Sequence, residues 1–167
     1  VTEVAAARPG AWRTDLVRLA AVLSGAAAAV HLSVARLHFD EYWLFGAGFV
    51  VSGVLQLAWA VAIWKRHDDR RLLTAGFVLQ LGIAAVWVVS RTVGLPYGPS
   101  AGDPESIGPL DAQCTFDELL IVVLGAVALW GVRSGRRRFA VDGLELLALL
   151  ATAATWFMLA AGAGHGH

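Results

Sequence analysis

The sequence predicts an all-α integral membrane bundle of five transmembrane helices, N-terminus inside and C-terminus outside, with a long ordered outer loop between helices three and four. Three observations carry that prediction. The 167-residue chain is 57% hydrophobic and 16% charged, against about 45–50% and about 25% in soluble domains. Its apolar residues fall in five runs near the ~20 residues that a helix needs to cross a hydrocarbon core. Its basic residues gather on one side of those runs. Strands are not expected, because the runs are long, rich in Ala and Leu, and lack period-2 alternation.

The runs follow in order. Residues 1–15 form a polar, arginine-bearing cytoplasmic tail, and a single transmembrane domain covers 16–163. Helix one spans Leu16 to Leu37. The Arg36–Glu41 stretch after it does not look like a small-residue cleavage site, so the run reads as a retained span rather than a signal peptide. Helix two covers Tyr42 to Trp64, and helix three Leu72 to Gly94. The loop 95–113 carries Pro96, Pro99, Pro104 and Pro109 among glycines, which excludes a long helix there. Helix four runs from Phe116 to Val132, and helix five, after the basic RSGRRR loop, from Leu144 to Ala163. A short tail, 164–167, ends outside with His165 and His167.

Orientation follows from the flanking cations. With the N-terminus inside, the inner side holds Arg8, Arg13, Arg18, Lys65, Arg66, Arg70, Arg71, Arg133, Arg136, Arg137 and Arg138. The outer side holds only Arg36 and Arg91. Trp12, Trp43, Trp64 and Trp130 fall near the expected interfaces. The inner loops, KRHDDRR and RSGRRR, read as topology-setting turns. A composition rich in Arg, Ala, Gly and Val points to a bacterium, and hence to its plasma membrane.

Several function classes are excluded. Acidic and basic residues balance at 13 each, so there is no nucleic-acid footprint. Cys114 is the single cysteine, which rules out an internal disulfide, a CxxC site and covalent haem. Lys65, the only lysine, sits in an inner loop, where no retinal Schiff base forms. There is no GxSxG, HExxH, P-loop or GxGxxG motif. Bis-histidine haem would need a second histidine within a span, and only His31 qualifies.

The polar residues left in and beside the spans are the functional candidates. His31 and His38 share a helical face about 10 Å apart at 1.5 Å per residue. His31 is either a metal, haem or proton-relay ligand or an interhelical hydrogen-bonding group. His38, Asp40 and Glu41 form either a divalent-metal rim or a solvated turn in which Asp40 caps helix two. Asp111, Cys114 and Glu118 would share a face if helix four starts early. Alternatively, Thr115 is its N-cap and Glu118 completes a capping box. Arg91 needs a carboxylate, with Asp117 or Glu118 the expected partner, as a structural ion pair or an anion clamp. Gln56 and Gln80 are mid-membrane polar groups, and His165 and His167 could add a copper ligand pair.

HLSVARLHFDEYWLFG at residues 31–46, SRTVGLPYGP at 90–99 and the glutamate near the top of helix four together resemble a family of small, uncharacterised multi-pass membrane proteins found mainly in actinobacteria. The resemblance covers about Val30 to Leu120 and implies the same bundle and the same outer-face cluster. It supplies no activity. The expectation is therefore an outward-facing His/carboxylate site for copper or zinc, built from His31, His38, Glu41 and Glu118 and serving metal handling or transport. Asp40, Asp111, Cys114, His165 and His167 are further candidate ligands. A non-catalytic subunit of a respiratory or oxygenase complex is one alternative; an enzyme acting on a lipid or quinone through His31 and Glu118 is another. Partners would be the lipid bilayer and other membrane subunits or further copies of the chain.

Overall fold

Ala11–Glu41 forms the longest helix, α1, and the other helices are arranged about it. The computed structural model describes residues 11–130 and 137–163. It continues with α2 (Trp43–Lys65), α3 (Arg70–Thr92), α4 (Pro109–Trp130) and α5 (Arg137–Ala163). No strand occurs among the described residues. All five helices are long and apolar enough to cross a membrane.

α1 is central because it is the helix most buried by its neighbours, with α2, α4 and α5 all against it. Its contact faces are built from small residues, including Ala20, Ala21, Ala27 and Ala28, which let neighbouring backbones approach. α2 answers with glycines. A methyl group at Gly53 would lie 2.8 Å from Leu32 and 3.1 Å from the Ala28 carbonyl, and one at Gly46 would collide with Phe39. On α3, Gly76 receives the Trp59 ring, whose Nε1 donates to the Leu72 carbonyl at 2.7 Å. Around the bundle the helices run α2, α1, α4, α3, and α5 sits behind α1 and α4. The arc barely closes, because α2 and α3 touch least of the contacting pairs. Towards the end where α1 begins, Leu16, Leu23, Ile63, Leu73, Ile121 and Leu124 form a sealed apolar core.

That end is the basic one. Arg13 donates to the Ala128 carbonyl at 2.9 Å and pairs with Asp68 at 3.2 Å. Arg70 reaches the Leu129 carbonyl at 3.4 Å, and Arg18 lies over the Trp64 ring. The two carbonyl contacts satisfy the end of α4, and Arg18 places a cation on an aromatic face.

Helix boundaries differ from expectation in ways that matter for the site. α1 continues to Glu41, and α2 starts beyond Tyr42, whose backbone is extended and whose side chain makes no cap bond; Asp40 therefore does not cap α2. α3 begins at Arg70 under Asp69, whose carboxylate accepts from the Arg71 and Leu72 amides. α4 begins at Pro109, a residue suited to the first helical position because its missing N–H is not needed there. Thr115 is a buried residue inside α4, so the capping-box reading fails. The reason is that the polar first turns of α4 face other helices, so low apolarity there did not mark a loop. α5 begins at Arg137 rather than Leu144. The α3–α4 connection thus covers 93–108. It folds back on the bundle, with Glu105 N–H bonded to the Ser90 carbonyl at 2.9 Å. Gly94, at φ +75°, packs against the Gly102–Asp103 backbone where no side chain fits. The tails 1–10 and 164–167, with His165 and His167, lie outside the described residues.

Candidate functional site

The site is built from α1 upward. His31 Nδ1 lies 2.9 Å from the Ala27 carbonyl, one helical turn back. A carbonyl oxygen only accepts, so Nδ1 carries a proton and donates it there, leaving the Nε2 lone pair free in the neutral ring. Nε2 faces Glu118 Oε1 at 3.7 Å. On α4, Cys114 stands one turn before Glu118 and on the same face. Its Sγ is 3.6 Å from His31 Nδ1 and 4.0 Å from Glu118 Oε1. One ligand-type atom from each of His31, Cys114 and Glu118 lies within 4.8 Å of the other two, the only such group of three among the described residues. All three side chains are buried.

Glu118 is positioned by a polar chain that involves four helices. Gln56 Nε2, from α2, donates to Glu118 Oε1 at 3.0 Å and to Gln80 Oε1, on α3, at 2.9 Å. Gln80 Nε2 donates to Ser24 Oγ at 3.2 Å, and Ser24 in turn donates to the Gln56 carbonyl at 3.0 Å. Each hydrogen bond contributes about 0.5–1.5 kcal/mol net, and an unmade one costs more. The chain therefore fixes the direction of both amides. Gln56 Oε1 is buried and has no hydrogen-bond partner among the described residues. Nearer the basic end of the same four helices, Leu23, Ile63, Leu73 and Leu124 are buried apolar residues.

Towards the other end the group opens into a cavity of about 740 Å³. Its walls come from α1 to α4: Val30 and Val34, Phe45 and Phe49, Leu79 and Ile83, and Leu110 and Thr115 are among them. Gly48 and Gly82 also line it, and a Cβ added at either meets nothing within 4 Å. They flank the sparse α2–α3 seam, where the exposed Val78 and Val86 also line the cavity.

Arg91 closes the mouth. Its Nε and Nη2 donate to Asp111 Oδ2 at 3.1 and 2.6 Å. Its Nη1 bonds Glu105 and, at 2.9 Å, Ser90 Oγ. Trp87 Nε1 adds a bond to Asp111 at 3.2 Å. The partners of Arg91 are thus Asp111 and Glu105, not Asp117 or Glu118. Successive helical residues point about 100° apart, so Asp117 faces α5 while Glu118 faces α1. Asp117 takes bonds from Thr155 at 2.5 Å and Gln113 at 3.0 Å. With two carboxylates already on its guanidinium, Arg91 ties the 93–108 loop to α3 and α4 and offers no free cation to an anion.

His38 and Glu41 sit nearer the end of α1, 3.5 Å from each other. The His38 ring stacks on Phe49 at 4.0 Å, and Phe49 also reaches His31 at 5.5 Å. His38 lines the cavity near its mouth, and Asp40 is exposed beyond it. The groups assembled with His31 are therefore Cys114 and Glu118, while His38 and Glu41 pair with each other. On sequence alone Cys114 ranks behind His38 and Glu41 as a ligand. The i, i+4 spacing of Cys114 and Glu118 was the available signal, and it required placing the start of α4 correctly. Comparison with protein-family models, with curated proteins and with solved structures finds no match to this chain.

Proposed function

We propose that this is a multi-pass plasma-membrane protein, basic end in the cytoplasm, that takes a lipid-soluble amphipathic molecule into the α1–α4 cavity and presents its polar head to His31 and Glu118. A quinone or a lipid alcohol has the required chemistry. The observation that carries the reading is a cavity of about 740 Å³, mostly apolar in its walls, that ends on convergent, buried ionisable groups. Small-molecule sites have volumes of about 300–1,000 Å³ and this mix of walls, and in bundles they lie between helices. The α2–α3 seam faces the bilayer, where such a ligand is concentrated. Gly48 and Gly82 keep that side open. The Nε2 lone pair of His31 and the carboxyl of Glu118, 3.7 Å apart, can exchange a proton with a hydroxyl or carbonyl placed beside them. The orientation rests on the eleven inner against two outer cations.

A Cβ added at Gly48 or Gly82 meets nothing within 4 Å, so Gly48→Leu and Gly82→Leu direct their added bulk into the cavity. Binding of decylubiquinone and of a long-chain fatty alcohol is measured on the purified protein in detergent by native mass spectrometry. Each leucine variant is expected to weaken the bound probe about tenfold or more, or ~1.4 kcal/mol, with unchanged thermal stability. Equal binding of both probes by wild type and both variants would place any ligand elsewhere and overturn the reading.

A further inference from the structure

The closed end of the cavity holds more than a proton-exchanging pair requires. A histidine and a glutamate that merely hydrogen-bond would sit at about 2.7–3.2 Å, but here Nε2 and Oε1 are 3.7 Å apart. The thiol is 4.0 Å from the same carboxylate oxygen. Around a tetrahedral zinc ion, with bonds of about 2.0–2.3 Å, neighbouring ligand atoms are separated by roughly 3.4–3.6 Å. The two separations from Glu118 Oε1 exceed that spacing by a few tenths of an ångström, while Cys114 Sγ, which lies 3.6 Å from His31 Nδ1, must turn towards Nε2 to share the ion.

Their supports also fit ligation. A ligating imidazole donates its other N–H to a carbonyl or carboxylate, which fixes the tautomer and ring orientation, and His31 Nδ1 does this to Ala27. A ligating carboxylate is itself hydrogen-bonded, and Gln56 does this to Glu118. The other end of that amide, Gln56 Oε1, is a buried acceptor left without a donor. The two ligand-bearing helices, α1 and α4, pack directly against each other, so the spacing is set between helices rather than by a loop.

We propose that His31 Nε2, Cys114 Sγ and Glu118 Oε1 form a three-ligand site for zinc. Zinc takes nitrogen, sulfur and oxygen donors together, whereas copper(I) favours soft sulfur sets. Three protein ligands leave a coordination position, and the open side of this group is the cavity. The inference deepens the ligand-cavity reading, because an oxygen of the bound molecule or a water would complete the ion; with the ion in place, His31 Nε2 and Glu118 act as its ligands instead of exchanging protons. It stands without that reading if the ion binds and no amphiphile does.

The test uses purified protein in detergent carrying His165→Ala and His167→Ala, so that the tail histidines cannot take up the probe. Cobalt(II) alone is titrated and followed by absorption. Wild-type residues at the site are expected to give saturable, one-to-one uptake with a near-ultraviolet thiolate-to-cobalt band. Cys114→Ser is expected to abolish that band, and His31→Ala and Glu118→Gln to weaken uptake by more than the ~10–100-fold that loss of a ligand's hydrogen-bond partner costs. Gly82→Leu, which blocks the amphiphile, should leave the band in place. A second measurement needs no site variant: stoichiometric zinc should slow maleimide labelling of Cys114, the sole cysteine, at least about tenfold, because a metal-bound thiolate is withdrawn from reaction. No saturable uptake, a band that survives Cys114→Ser, or labelling indifferent to zinc would each overturn the proposal.

Discussion

Glu118 and Asp117 are neighbours in sequence and opposites in role. Glu118 faces His31 and Gln56 across the α1–α4 core, whereas Asp117 turns to α5 and is held by Thr155 and Gln113. Both carboxyls are buried, and burying such a group is costly unless it is partnered. Thr155→Val keeps the shape and removes the hydroxyl that serves Asp117. It should destabilise the protein by about 1–3 kcal/mol, the cost of an unsatisfied buried polar group, read as a lower midpoint of thermal unfolding in detergent. Cobalt uptake at the other carboxyl should be unchanged. An unaltered midpoint would mean that Thr155 does not support Asp117. Gln56 and Gln80 show the same logic in the chain behind Glu118, where each amide is useful only because the next accepts it.

Among the helices, the glycines divide into those that let backbones meet and those that keep space empty. Gly76 lies under the Trp59 ring with no room for a methyl group, while Gly48 and Gly82 face the cavity. Gly76→Ala should therefore cost about 1–3 kcal/mol through overpacking, and Gly48→Ala should be near neutral. Comparing the two unfolding midpoints checks this, and equal midpoints would contradict the packing. The capture of the 93–108 loop by Arg91 is also a property of elements. One planar guanidinium reaches Glu105 in the loop and Asp111 in α4 at once, a geometry that a lysine ammonium does not reproduce. Five helices could be read from the sequence because each is a long apolar run. The start of α4 could not, because Asp111, Gln113, Cys114, Asp117 and Glu118 make its first turns look like loop until their partners are known.

At the scale of the molecule, charge is segregated between the two ends of the bundle. Arg13, Arg18 and Arg70 cluster at one end, and Glu41, Glu105 and Asp111 at the other. If the basic end is cytoplasmic, as the distribution of cations supports, the 93–108 loop faces outward. In a Cys114→Ser background, Ser100→Cys should react with a membrane-impermeant maleimide on intact cells, and His67→Cys should react only after lysis. The reverse pattern would invert the orientation. The buried apolar core lies at the basic end, and the cavity opens towards the other.

Hydrophobicity and charge are additive along the chain, so the sequence by itself determined the five spans, the basic and acidic ends, and the set of polar residues held within or beside the membrane. HLSVARLHFDEYW was visible as one dense polar stretch. Its division, with His31 in the core and His38 and Glu41 nearer the mouth, follows from helical rise and is present in the structure. Only the tertiary structure decided which of these groups meet. A helix turns about 100° per residue, and packing against α1 and α5 fixes how α4 is rotated. That rotation sends Asp111 to Arg91, Asp117 to Thr155, and Cys114 and Glu118 to His31. No local property of the sequence specifies it.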